Sequence, residues 1–166
     1  MNTKIQKIKF NDLSNRVFNP AVSNQSQSVG DLSIARIERM SHHLRIDFIY
    51  KTSYQYINGG WISIEQDCYV ESADQLFKCI LVQADNIAIS PKRTYFSTKG
   101  QLWHFTLWFT PLPDFVDEIN FIEKLNGQRQ SVLLPDGSIE ESGNYFNFYG
   151  IQLNGSKHVQ LQLGSN

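Results

Sequence analysis

The sequence predicts an all-β protein, an antiparallel β-sandwich of about eight or nine strands. Three observations predict it. Aromatic residues make up 13% of the chain, with 11 Phe, 7 Tyr and 3 Trp, and large flat side chains suit a pleated, half-buried surface. Apolar and polar residues alternate with period two in several segments, which puts one face of each inward. Turn signals punctuate these segments at short spacing, and no segment shows a convincing amphipathic helical period.

In chain order, residues 1–30 are polar and irregular, and are read as an N-terminal arm. Ile5, Ile8 and Phe10 could pin its start as a short strand. The β-sandwich domain occupies 31–166. Leu32–Arg39 opens it, and Ser41-His42-His43 turns into Leu44–Tyr50, where Leu44, Ile46, Phe48 and Tyr50 share one face. Asn58-Gly59-Gly60 is a turn before Trp61–Ile64. Asp67–Val70 and Phe77–Ala84 flank a polar turn. The second of the two is apolar on both faces, as a central strand would be.

Leu102–Phe109 is a long strand with Trp103, Phe105, Leu107 and Phe109 inward. Pro111 and Pro113 end it, because proline cannot donate to a ladder. Asp117–Leu125 follows. Asn126–Gly143 is read as a long connection with a turn at Pro135-Asp136-Gly137. Tyr145–Leu153 returns as a strand, and Val159–Leu163 closes the sheet after Asn154-Gly155.

Composition narrows function by exclusion. A formal net charge of -1 with no basic block lacks the positive field that generic nucleic-acid binding needs. No apolar run reaches the length of a membrane span. Met1–Phe10 carries charge but no apolar run behind it, so no signal-peptide pattern is read there. No nucleophile elbow, zinc-protease signature or phosphate-binding glycine loop is present, so no catalytic residue and no cofactor is assigned. No metal site is assigned either. His42 and His43 are adjacent and point apart on an extended chain, and Glu65, Asp67, Glu71 and Asp74 match no calcium-loop spacing.

Two places remain as candidates. Leu102, His104, Thr106 and Trp108 form the outward face of the long strand, a semi-apolar stripe expected to bind the N-terminal arm, a second copy or a ligand. Cys68 and Cys79 are the second. With a turn at 72–75, Val70 pairs with Phe77 and Cys68 falls opposite Cys79, with Cα atoms ~4.5 Å apart, near the lower limit for a disulfide. The alternative is two reduced thiols acting as small core hydrophobes.

Three segments in this order, Phe105–Pro113 (FTLWFTPLP), Ile119–Glu123 (INFIE) and Phe146–Leu153 (FNFYGIQL), resemble the Ig-like N-terminal domain of some secreted proteins of Gram-negative bacteria. There the domain often precedes a thioredoxin-like domain. The resemblance covers roughly 32–153. It implies an Ig-like sandwich, an extracytoplasmic setting, and no catalytic residues to carry over. The expectation is therefore a non-enzymatic interaction or accessory module that takes a protein partner or self-associates. The alternatives are a carbohydrate-binding module using exposed aromatics, Trp108 first, and an enzyme whose site converges only in three dimensions.

Overall fold

The structure, a computed structural model, describes residues 31–125 and 145–153, together with 17–18, 26–27, 130–133, 135, 137 and 139–142. All regular structure among them is strand: β1 (Val17–Phe18), β2 (Ser26–Gln27), β3 (Leu32–Arg39), β4 (Leu44–Lys51), β5 (Trp61–Ile62), β6 (Tyr69–Ser72), β7 (Lys78–Asp85), β8 (Thr94–Tyr95), β9 (Leu102–Phe109), β10 (Glu118–Ile122), β11 (Gln130–Leu133), β12 (Ile139–Ser142) and β13 (Asn147–Gln152). No helix among the described residues is long and apolar enough to cross a membrane.

Nine strands form one antiparallel sheet in the order β1-β3-β4-β9-β7-β6-β10-β13-β2, folded over on itself at β7. The first half of β7 pairs with β6, Lys78 opposite Glu71 and Ile80 opposite Tyr69. Its second half pairs with β9, Asp85 opposite Thr106, across a register shift between Leu81 and Gln83. A bulge at such a corner lets one strand serve both layers.

Alternation then fills the space between the layers. Phe48 of β4 stacks on Phe105 of β9 with ring centroids 5.0 Å apart. It also meets Phe121 of β10 at 5.1 Å and Phe148 of β13 at 6.3 Å. Leu44, Ile46, Phe48, Phe105, Leu107, Phe109, Ile151 and Leu153 are all buried, as the alternation predicts. Trp103 is only partly buried and packs against the core from its margin. Its indole N–H reaches the carbonyl of Asn86 at 2.8 Å.

Several features differ from the sequence expectation. β3 shifts register between Ile34 and Arg36, so its inward residues are Leu32, Ile34, Ile37 and Arg39. Arg39 is buried and donates to the carbonyls of Asp114 at 2.7 Å and Val116 at 2.5 Å, fixing the connection after β9. The segment expected as one long connection contains the β11–β12 hairpin. β5 and β8 pair as a small separate ribbon. In the arm, β1 joins the β3 edge and β2 the β13 edge. The strand expected at Val159–Leu163, and Ile5, Ile8 and Phe10, lie outside the described residues.

Candidate functional site

Leu102, His104, Thr106 and Trp108 do share the outward face of β9, opposite Lys51, Ile49, Asp47 and Arg45 of β4. Leu102 and His104 are exposed; Thr106 and Trp108 are half-buried. The Trp108 end is a polar network. The indole N–H donates to Asp85 at 2.7 Å, and the Arg45 guanidinium lies 5.3 Å from the ring centre. Asp47 accepts from Thr106 at 2.6 Å and from Arg45 at 2.9 Å. Donors from Gln83 and Trp108 hold the Asp85 carboxyl below its ordinary range. These neighbours satisfy the half-buried groups within the sheet itself.

Cys68 and Cys79 are both buried free thiols. The expected register is off by two residues: Cys79 sits opposite Val70, not opposite Cys68. Ser72 is the cause. Its hydroxyl accepts from the N–H of Phe77 at 3.0 Å and bonds to the Asp74 carboxylate, so the strand runs to Ser72 and the turn falls at 73–76. Burial pushes the Cys79 thiol up to about 11. It raises Cys68 further, aided by the nearby carboxylates of Glu123, Asp67 and Glu65.

A different surface gathers at the end of the sandwich where β4 finishes and β9 begins. Residues 52–60 and 96–101 form adjoining loops there, with the β5–β8 ribbon beside them. Thr52 ties the loops together. Its N–H donates to Gln101 O at 2.8 Å and its carbonyl accepts from the Gly100 N–H at 3.1 Å. Its hydroxyl donates to Thr98 O at 2.8 Å and accepts from the Gln101 N–H at 2.7 Å.

Two glycines permit the packing. Gly100 has φ +69°, and a Cβ there would overlap the Tyr54 ring. Gly59 has φ +88°, and a Cβ there would come within 2.5 Å of Thr98 O. Both need the left-handed region that glycine enters without penalty.

Around this end Tyr54, Tyr56, Ile57, Tyr95 and Leu102 are exposed, Ile57 at 94%. Cations stand among them. The Lys51 ammonium is 5.1 Å from the centre of the Tyr54 ring, and the Arg93 guanidinium lies 3.9 Å from that of Trp61. Lys92 and Lys99 are exposed nearby, and residues 51–64 and 86–104 contain no Asp or Glu. Asp31, whose carbonyl accepts from the Lys51 N–H at 2.9 Å, borders the patch.

The sequence reading put Trp108 first among exposed aromatics and passed over these tyrosines. The available signal was composition, Thr-Ser-Tyr-Gln-Tyr-Ile-Asn-Gly-Gly over 52–60. Tyr with Ser, Asn and Gly is the mixture that recognition loops favour, because Tyr offers a large amphipathic surface at low entropic cost. Among the described residues no group of three or more His, Cys, Asp or Glu could hold a metal ion.

Fold and surface together define an all-β, sandwich-like protein with an aromatic loop end. Comparison with protein-family models, curated proteins and solved structures finds no match to the chain.

Proposed function

We propose that this chain is a non-enzymatic interaction module, an Ig-like sandwich that binds a partner through the loop end around Tyr54, Tyr56 and Tyr95. The supporting observation is the gathering of Ile57, Leu102 and these three tyrosines in the open at one pole of an otherwise well-filled core. Contiguous exposed apolar surface rimmed by polar groups is what contact sites present. The Ig-like assignment rests on the resemblance of the β9, β10 and β13 segments.

A carbohydrate partner is the second reading. Sugar stacking needs a bare ring face. At this end Arg93 stands over Trp61, and at the far end of β9 Arg45 stands over Trp108, so neither indole offers an uncovered site and a protein surface suits the loop end better.

A photo-reactive phenylalanine analogue placed at Tyr56 or Tyr95 in the producing cell tests the proposal. One or more discrete protein adducts are expected there, and none from the same probe at Gln83 on the β7 surface. Absence of adducts at the loop end, or equal adducts at both places, would overturn it. Protection of the probe by a soluble glycan, without protein adducts, would favour the carbohydrate reading.

A further inference from the structure

The end of the sandwich where β9 finishes carries exposed acidic groups. There the 73–76 turn meets the 110–117 connection. The Ala73 N–H donates to Glu118 O at 3.0 Å, and the Phe115 ring packs edge-on to Phe77 with centroids 5.2 Å apart. Leu76 is 76% exposed and Phe115 71%. Asp74, Asp114 and Asp117 stand exposed around them. Cations lie in this region too, Arg39 and Lys78 among them, with Arg45 one ladder position from the end of β9. Arg39 is buried, with its guanidinium on the carbonyls of Asp114 and Val116. Lys78 holds its ammonium 3.6 Å from the centre of the Tyr69 ring.

The turn that presents Leu76 is well fixed. Gln75 holds φ 61°, with its N–H on Ser72 O at 2.8 Å, and Asp74 accepts from the Leu76 N–H at 3.1 Å. A projection ordered before contact loses little entropy on binding.

We propose that this acidic end docks on the aromatic, cationic loop end of a second copy of the chain. The inference rests on the interaction-module reading and names its partner. Charge complementarity supports it: Lys51, Lys92, Arg93 and Lys99 on one end face Asp74, Asp114 and Asp117 on the other. Leu76 and Phe115 supply the apolar anchors that a tyrosine-lined surface accommodates.

The two patches lie at opposite ends of β9, since residues 96–101 precede that strand and 110–117 follow it. The contact is therefore heterologous. A pair of copies leaves one loop end and one acidic end open, and a third copy can add. Opposed exposed charges make the association weaken with salt.

Sedimentation velocity on the full chain, at concentrations up to ~1 mM in low salt and again in ~0.5 M salt, tests this. The mass should rise with concentration in low salt and return toward the monomer in high salt. Tyr56→Ala/Tyr95→Ala blocks the loop end, and Leu76→Ser/Phe115→Ser blocks the acidic end. Each variant alone should be monomeric. Their equimolar mixture should form a dimer and nothing larger, because only one competent pair of surfaces remains.

Lys92→Glu/Lys99→Glu and Asp114→Asn/Asp117→Asn provide a second pair; the first alters exposed charge alone, and the second neutralises the acidic end without placing new cations beside the buried Arg39. Each should lose the low-salt association. The proposal is overturned by a wild-type chain that stays monomeric in low salt, by any single variant that assembles like wild type, or by a mixture of the two apolar variants that fails to dimerise. Adducts to a different protein from the Tyr56 probe, with a monomeric chain, would overturn self-docking and leave the module reading standing.

Discussion

The Glu123 carboxylate accepts a 2.7 Å hydrogen bond from the backbone N–H of Phe146. Its other oxygen accepts from the N–H of Glu65 at 3.1 Å. One buried side chain at the end of β10 thus joins the segment before β6 to the segment that starts β13. Asn147 reinforces the joint, accepting from the Glu123 N–H at 2.9 Å. The two strands that flank β10 are in this way held at their ends as well as along their ladders.

That carboxyl should make stability depend on pH. Burial raises it from the ordinary 4.5 to about 7, against the pull of the two N–H donors, with Glu65 adding repulsion and Lys124 attraction. An acid raised in the folded state keeps its proton there after the unfolded chain has lost it. Its contribution is fully present below about pH 4.5 and fades as pH rises through about 7. The size is on the order of 3 kcal/mol. Urea midpoints measured from pH 4.5 to 8 should therefore fall more steeply for the wild type than for Glu123→Gln. Parallel curves would show that Glu123 does not titrate in this range.

Cys68 and Cys79 should be unreactive in the folded protein. The thiolate is the attacking species, and both thiols are buried with raised proton affinity. A chromogenic disulfide reagent at pH 8 should label neither thiol natively and both in denaturant. The unreduced intact mass should carry two extra hydrogens relative to the disulfide form. Rapid native labelling of either thiol, or the disulfide mass, would contradict this assignment.

Phe105 and Phe48 stack at an interplanar angle of 12°, and Phe48 meets Phe121 and Phe148 across the layers. Each single change to Ala should destabilise by about 3–5 kcal/mol. The pair should be non-additive by about 0.5–1.5 kcal/mol, the usual worth of such a contact. A loss below ~1 kcal/mol for Phe105→Ala would put this face outside the core. Strict additivity would deny the coupling.

Legibility followed periodicity. β4 and β9 were readable because alternation runs through all eight residues of each, with Pro111 stopping the second. The same rule failed at Arg36, where a bulge inserts a residue without any local marker. Glu123 was invisible as a buried joint because its partners, Glu65 and Phe146, are distant in sequence. The cysteine register turned on one hydroxyl: Ser72 captures the Phe77 N–H and displaces the turn by a residue, which moves the pairing by two. The loop end could not be located because its tyrosines converge through backbone contacts between 52–60 and 96–101. No periodic pattern encodes those contacts.

Thr52 tests whether that loop end is built before it binds. Its hydroxyl is buried and serves two backbone groups at once, Thr98 O and the Gln101 N–H. Thr52→Val preserves shape and removes both bonds. A buried donor and acceptor are left unpaired, at a cost of about 1–3 kcal/mol. The loss should be local as well as global. Hydrogen exchange at the Gly100 and Gln101 amides should accelerate more than exchange at β10, whose ladder lies elsewhere. Contacts made through Tyr54, packed over Gly100, should weaken in the same variant, since a looser surface must be ordered on contact. Unchanged exchange at Gly100 and Gln101 would show that the backbone bonds between the loops suffice, and that the Thr52 hydroxyl does not organise this end.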